Sequence, residues 1–260
     1  MKNILTKLCC FTIAVILGVN CVNAQTDFSI HVGGSFPLGK YADYALSPNS
    51  TPDGNDIIAW NIKTDKAGAA MGFNLGAKFR FNIPTIKGLG IIATADLFIN
   101  PSNKEIQDSF EDYMILFCAQ NSVNNYDSSI PKYFNIPIIL GLNYEYALGN
   151  NVKIYGEAGA GVNIGIISNL DMNFKEQDFD YVSNVEYENQ YSFAFQFGVG
   201  VLLSEKLSLG VHYYNLGSQK VKGDVKYIAT WNGGGESERG NFVFDRINPN
   251  MITLKLGYHF

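Results

Sequence analysis

Seven charged residues stand at alternate positions of strand-like segments, and they are the first candidates for chemistry in this chain. Their side chains point away from the apolar residues beside them, because successive side chains of a strand face opposite sides. Charges gathered inside a fold must pair, since an unpaired buried charge is costly to desolvate. The set predicts either a narrow pore whose charges select ions or, as we favour, a plug of ion pairs that fills the interior. Its members are Lys78, Arg80, Asp96, Glu145, Lys153, Glu157 and Lys255.

The three histidines are the second group to consider. His31, His212 and His259 fall on the same side of their segments as the charged residues. Zinc needs ligand nitrogens about 2.0–2.1 Å from one metal, whereas His31 and His212 are expected on strands about 10 Å apart. A hydrolase needs a nucleophile and an orienting acid beside its histidine, and no local signature supplies them. We therefore predict no catalytic residue, no metal and no cofactor.

The elements that carry these residues show a period of two. In the clearest segment, Tyr191–Leu203, Phe193, Phe195 and Phe197 share one face, while Ser192 and Gln196 share the other with glycines. Such alternation predicts β-strands. Eight segments have it: Asp27–Phe36, Ala70–Phe81, Leu89–Asn100, Tyr133–Tyr146, Val152–Ile166, Tyr191–Leu203, Leu207–Tyr214 and Met251–Phe260.

The apolar face of these segments is predicted to point outward into lipid. That face carries almost no charge, which suits hydrocarbon. The polar face combines long charged side chains with many glycines, which a narrow bore needs to let those side chains cross it. Short connections (82–88, 147–151 and 204–206) alternate with long ones (37–69, 101–132, 167–190 and 215–250).

This pattern predicts an all-β fold, a closed antiparallel up-and-down transmembrane β-barrel of eight strands with four long extracellular loops. Ten strands stay possible if parts of the long loops pair as spanning hairpins. Pro137 cannot donate to a strand ladder, so we expect it near the outer rim; the alternative is an edge strand in an open sheet.

Residues 1–24 are predicted to be a cleaved signal peptide, leaving residues 25–260 as the barrel domain. Lys2 and Lys7 precede an apolar run, and Ala24 ends a stretch of small residues. Cys9, Cys10 and Cys21 would leave with it, so Cys118 would have no intramolecular partner.

The composition restricts the class of partner. The chain has 260 residues, 47% of them hydrophobic and 17% charged, with a formal net charge of −5. An acidic balance argues against nucleic acid, which proteins hold by neutralising phosphates.

Three stretches resemble small bacterial outer-membrane β-barrel proteins of the porin-like family. They are Gly33–Tyr41, the run Ile136–Tyr144, and the C-terminal Leu256–Phe260. In that family the last residue is aromatic and apolar residues precede it at alternate positions, as Leu256, Tyr258 and Phe260 do here. The resemblance implies a protein of the outer membrane of a Gram-negative cell envelope, and we expect it to be a monomer. Its partners would be membrane lipid and, during biogenesis, the barrel-assembly machinery that reads the C-terminal signal.

The long connections hold the features that bear on function. The segment Asp108–Gln120 predicts either a helix over the barrel or a loop or strand extension. Val221–Trp231 and Asn241–Arg246, around three glycines, predict a hairpin beyond the membrane or a continuation of the last two strands. We expect a structural or surface-interaction role, through an extracellular ligand or host surface, without catalysis. The alternatives are a narrow porin-like channel and a barrel enzyme acting on lipid or peptide.

Overall fold

The computed structural model describes residues 26–43, 67–108, 125–149, 151–176, 179–231 and 234–260. The proposed signal peptide with Ala24, residues 109–120 of the predicted loop helix, and Cys118 lie outside these ranges. In chain order the strands are β1 (Thr26–Leu38), β2 (Gly72–Asn82), β3 (Leu89–Pro101), β4 (Asn125–Ser129), β5 (Lys132–Ala147), β6 (Val152–Ile167), β7 (Leu170–Glu176), β8 (Phe179–Tyr187), β9 (Gln190–Leu203), β10 (Leu207–Asn215), β11 (Gln219–Trp231), β12 (Gly234–Ile247) and β13 (Asn250–His259).

Eight of the strands close into a barrel. Their order is β1-β13-β10-β9-β6-β5-β3-β2, and neighbouring strands are antiparallel. Closure occurs where Ser29 of β1 has Lys78 of β2 as its partner on one side and His259 of β13 on the other. The predicted eight-stranded barrel is therefore confirmed, and its strands start and end within a few residues of the predicted segments. A closed barrel leaves no sheet edge.

The remaining five strands form a second sheet, here called the distal sheet, in the order β12-β11-β8-β7-β4. This order repeats that of five consecutive barrel strands, β13-β10-β9-β6-β5, because each distal strand directly precedes or follows its barrel strand in the chain. The breaks between them fall at short irregular stretches such as Ile130–Pro131 and Leu216–Ser218. The distal sheet thus extends five of the eight barrel strands beyond the barrel. The connections predicted as loops are partly sheet, and β11 and β12 form the predicted hairpin.

Pro137 occupies a different position from the one expected. It lies inside β5 opposite Asn163 of β6, on the level of Asp96 of β3, with Ile136 and Phe134 continuing the strand toward the long connections. The ladder with β3 is interrupted at Pro137 without a change of register, since Ala95 pairs with Ile138 and Phe98 with Asn135. The expectation of a rim position is wrong. The edge-strand alternative is also excluded, because β5 has a neighbour on both sides.

The outer face of the barrel is apolar. Phe193 is 65% exposed, Leu140 65% and Leu254 48%, as expected for side chains that look outward. Among the eight barrel strands the alternation leaves one charged residue on this face, Lys132 at the start of β5. Membrane barrels carry such an apolar band facing lipid. Within the described ranges, no helix has the length and apolarity that a membrane-spanning helix needs.

Candidate functional site

Asp96 is the centre of the first group of interior charges, the upper cluster, which comprises Asp96, Lys255, His31 and Tyr214. Its Oδ1 atom lies 2.6 Å from Lys255 Nζ and 2.6 Å from His31 Nε2. Tyr214 donates its hydroxyl to Oδ2 at 3.0 Å, and Asn74 donates to Oδ1 at 3.2 Å. All five side chains are buried. Both carboxylate oxygens have partners, as a charge removed from water requires.

Glu157 is the centre of the lower cluster, which comprises Glu157, Lys78 and His212. Its Oε2 atom lies 3.0 Å from Lys78 Nζ, and its Oε1 atom 3.0 Å from His212 Nε2. Gln196 donates to Oε1 at 3.5 Å. The Lys78 ammonium also lies 4.9 Å from the centre of the Tyr155 ring. The lower cluster therefore repeats the arrangement of the upper one, with one carboxylate between a lysine and a histidine.

A third group, the mouth cluster, lies at the end of the barrel that carries the short turns. Arg80 Nε is 3.2 Å from Glu145 Oε1 and donates to Asn143 Oδ1 at 2.8 Å. Lys153 Nζ is 3.7 Å from Glu145 Oε2 and 3.2 Å from Glu205 Oε1. Lys153 is about one-third exposed and Glu205 mostly exposed, so solvent screens this end of the network.

The upper and lower clusters connect strands that are not neighbours. Asp96 of β3 and Lys255 of β13 have β1 and β2 between them, and Glu157 of β6 and Lys78 of β2 have β3 and β5 between them. The side chains reach one another only by crossing the bore. An eight-stranded barrel has an interior just wide enough for side chains to fill it. The two clusters therefore fill the middle of the bore.

Glycines give these long side chains their room. Gly76 is the register partner of Asp96 on β3 and of His31 on β1, and Gly198 is the partner of His212. A Cβ atom at Gly198 would overlap the His212 ring, and one at Gly76 would meet both Asp96 and His31. Directly opposed residues of an antiparallel pair project to the same face. The glycine is thus what allows its larger partner to lie across the bore.

The seven residues singled out in the sequence are distributed over the three clusters, two in the upper one, two in the lower one and three in the mouth cluster. Sequence reasoning put the histidines on the same face but did not assign His31 and His212 to carboxylates, and it did not include Tyr214. Their inward parity is the only sequence signal for them. The partners themselves depend on the register of strands far apart in the chain.

His259 has neighbours that sequence reasoning did not find. Its Nε2 atom lies 3.0 Å from Ser208 Oγ, and its Nδ1 atom 3.7 Å from Asp27 Oδ2. These residue types could form a hydrolytic triad. Ser208, however, is buried and lies directly over the backbone of Gly257, where even a Cβ atom would collide with its Oγ. The Ser208 hydroxyl is therefore packed against the backbone of β13 inside the bore.

No group of three or more metal-ligating His, Cys, Asp or Glu side chains occurs in the part of the chain that the structure describes. The pocket at the short-turn end has a volume of about 10 Å³, enough for roughly one water. It is lined by Asp27, Ser29, Lys78, Arg80, Asn143, Glu145, Tyr155, Leu202 and His259. It therefore has space for neither a cofactor nor an organic substrate.

Apolar side chains fill the bore on the long-connection side of the upper cluster. This apolar plug comprises Phe98, Ala194, Tyr214, Leu216 and Met251, each fully buried. The ring of Tyr214 packs edge-on against Phe98, with ring centres 4.9 Å apart. Tyr41, in a 3-10 turn after β1, packs against the same cluster, and burial raises the pKa of its hydroxyl. Charge pairs thus occupy the middle of the bore, and apolar side chains are packed next to them.

The distal sheet has an apolar face of its own. Phe174, Tyr181 and Tyr227 form a row across β7, β8 and β11, with ring centres 5.7 Å and 6.1 Å apart. The row ends at the carboxylate of Glu238 on β12, which accepts a hydrogen bond from Tyr227 at 3.0 Å. That hydrogen bond, more than burial, raises the pKa of Tyr227. Aromatic cross-strand pairs of this kind stabilise a sheet.

The proposed assembly residues lie on the outer face of the last strand. Leu256 is 55% exposed, Tyr258 44% and Phe260 74%. The Phe260 ring contacts Tyr258 at 5.0 Å and Phe28 at 5.6 Å between ring centres. They form an apolar edge near the short-turn end. Recognition of that edge by an assembly machinery remains a prediction.

A closed eight-stranded antiparallel barrel with an apolar exterior and a charged, filled interior is the architecture of one class of proteins. The chain has the fold of a small outer-membrane β-barrel. No protein-family model matches the chain, and no curated protein matches it.

Several solved barrels are similar to the chain. Ail, the attachment invasion locus protein of Yersinia pestis, has 14% identity and a TM-score of 0.36, with 90% of this chain and 97% of Ail covered. OprG, an outer membrane protein from Pseudomonas aeruginosa, has 18% identity and a TM-score of 0.39, with 90% and 95% covered. A major outer membrane protein from Thermus thermophilus has 10% identity and a TM-score of 0.44, with 91% and 100% covered. Likenesses this weak add nothing to the fold that the strand pairing already defines.

Proposed function

We propose that the chain is an integral protein of a bacterial outer membrane that holds its distal sheet outside the cell for surface interaction and catalyses no reaction. The observation that carries this proposal is a contrast between the two halves of the molecule. The bore is filled, while five of the eight barrel strands are continued by a folded sheet beyond it. The barrel then acts as an anchor and the sheet as the part presented to the surroundings.

Placement in the outer membrane is supported by the exterior of the barrel. An apolar face without charge in the body of the eight strands is unfavourable in water and favourable in lipid. In this placement the short turns lie in the periplasm and the distal sheet lies outside the cell.

Residues 1–24 would serve as the export signal cut after Ala24, and Leu256, Tyr258 and Phe260 would be read by the barrel-assembly machinery. Membrane lipid is the main partner, and the protein works as a monomer.

A permanently open channel receives less support, although it was one of the alternatives. The buried side chains of the apolar plug and of the two interior clusters lie across the bore, which supports a sealed barrel over an open one. An enzyme that acts on lipid or peptide receives less support as well. The histidines of the described chain lie inside the bore, away from both lipid and the outer surface.

Cysteine labelling of intact cells tests the proposed arrangement. In a Cys118→Ser background, Val182→Cys places a thiol on the exposed face of the distal sheet, and Lys87→Cys places one in the short turn between β2 and β3. A membrane-impermeant maleimide should label the first variant in intact cells and the second only after lysis. Labelling of both or neither before lysis would contradict the proposal. Purified protein in a planar bilayer at neutral pH should show no reproducible conductance steps.

A further inference from the structure

Each buried carboxylate in the middle of the bore is shared between a lysine and a histidine. In the upper cluster the distances from Asp96 to Lys255 and to His31 are both 2.6 Å, and in the lower cluster those from Glu157 to Lys78 and to His212 are both 3.0 Å. With neutral imidazoles, two carboxylates offset two ammonium groups. The middle of the bore is then electrically balanced.

A proton on either histidine removes that balance. The charged groups that act on His31 are Asp96 of β3, Lys255 of β13 and Lys78 of β2. Those that act on His212 are Glu157 of β6, Lys78 of β2 and Lys255 of β13, and the rings of Tyr155 and Tyr214 flank it. The other carboxylates of the bore, Asp27 and Glu145, belong to the short-turn end and face His259, Arg80 and Lys153. An imidazolium in the middle would therefore add a positive charge that no further carboxylate of the described bore offsets.

The upper cluster is physically joined to the apolar plug through Tyr214. Its hydroxyl donates to Asp96 and accepts from Lys255 Nζ at 2.6 Å, while its ring belongs to the plug and packs on Phe98. The Lys255 ammonium also lies over both rings, 4.9 Å from the centre of Tyr214 and 6.0 Å from that of Phe98. A shift of Lys255 away from Asp96 therefore disturbs the packing that seals the bore.

We propose that these features make the interior a proton-sensitive gate, closed while His31 and His212 are neutral and opened to small ions when they take up protons. Protonated His31 competes with Lys255 for the same oxygen of Asp96, and protonated His212 places a second positive charge on Glu157, whose other oxygen binds Lys78. A hydrated open bore can solvate the added charges, which the closed bore cannot. Proton uptake therefore favours the open state, in the range between about pH 5 and about pH 7 in which a hydrated imidazole titrates.

Conductance in a planar bilayer at two pH values tests the gate. The wild type should open rarely at about pH 8 and about tenfold or more often at about pH 5, since a proton-linked equilibrium can change by as much as tenfold per pH unit for each proton taken up. The double variant His31→Gln, His212→Gln keeps polar side chains that cannot be charged, and it should be silent at both. His259→Gln, which removes the third histidine of the bore outside the two clusters, is the matched control and should keep the response to acid.

Folding of each variant is checked by circular dichroism and by the heat-dependent shift in gel mobility. If the double variant does not fold, each single variant should still reduce the acid response relative to His259→Gln. Silence of the wild type at about pH 5, or an acid response that the histidine variants retain, would overturn the gate while leaving the anchoring role intact. Frequent conductance of the wild type at about pH 8 would instead contradict the sealed barrel of the proposed function.

Discussion

Lys255 Nζ lies 2.6 Å from Asp96 Oδ1, although the two residues are 159 positions apart and lie on strands separated by two others. The contact spans the bore of the barrel. It brings together the last strand of the described chain and the strand that precedes the second long connection. This ion pair therefore depends on the register of the four neighbouring strands β3, β2, β1 and β13.

Lys255→Met should destabilise the barrel by about 3–5 kcal/mol, because it leaves the Asp96 carboxylate without its ammonium partner in a desolvated interior. The double variant Lys255→Met, Asp96→Leu should recover most of that loss, since it removes both charges. Urea unfolding in lipid vesicles measures the free energy of unfolding of each variant. Equal stability of the single and double variants would show that the two charges are not coupled.

Leu254→Lys should cost about 2–4 kcal/mol of unfolding free energy, because it places a charge on the outer face within the lipid-facing band. Val182→Lys is a matched control, since Val182 is 46% exposed and Leu254 48%, but Val182 lies on the distal sheet. We expect the control to change stability by less than about 0.5 kcal/mol. The same vesicle measurement compares the two variants, and similar costs would argue that Leu254 does not face lipid.

Gly198→Ala should destabilise the barrel by about 1–3 kcal/mol, because the added methyl group overlaps the His212 ring and forces it away from Glu157. Gly240→Ala on β12 is the control, since a Cβ atom there meets nothing within 4 Å. Thermal unfolding in detergent, followed by gel mobility, should separate the two variants. A harmless Gly198→Ala would mean that the bore is looser than its packing indicates.

Glu238→Gln should lower the pKa of Tyr227 toward its ordinary value, because the carboxylate that accepts the tyrosine hydrogen bond loses its charge. A tyrosine whose pKa is raised in the fold contributes stability that is present at neutral pH and is lost as the pH rises past the ordinary tyrosine range. NMR titration of ring-labelled tyrosine, with Tyr227→Phe to assign the signal, measures the change. An unmoved signal in Glu238→Gln would remove Glu238 as the cause.

Phe260→Ala should reduce the amount of barrel in the outer membrane of cells severalfold while leaving refolding of the purified chain into detergent nearly unchanged. This difference follows if the terminal aromatic residue acts in assembly rather than in the fold. Phe36→Ala removes another aromatic residue of the outer face, 41% exposed, and should have no selective effect on cells. Western blotting of membrane fractions and refolding yields provide the two readouts. Equal loss in both would indicate a role in stability alone.

Strand positions followed from local information. Side chains such as Phe193, Phe195 and Phe197 alternate with small and polar residues, and that period is set by backbone geometry within a few residues. The inward direction of Lys78, Asp96 and Glu157 followed from the same alternation. No knowledge of distant strands is needed for either inference.

The pairing of the interior charges could not be obtained in this way. Asp96 was equally able to meet Lys78, Arg80 or Lys255 by sequence alone, and the choice depends on the order of strands around the ring and on their stagger. The pairing of strands from the long connections into the distal sheet likewise depends on the order of the barrel strands. Tyr227 meets Tyr181 because β11 and β8 continue β10 and β9, which is a property of the closed barrel.

The junction between β1 and β13 has a consequence for how the molecule is made. Ser29 and His259, which meet at this junction, come from opposite ends of the described chain, so the ring stays incomplete until the strand that carries His259 has paired. Until then the partly assembled sheet has an unpaired edge, and no lipid covers its apolar face. A variant without β13 would therefore keep open edges at β1 and β10 and could not enclose the interior.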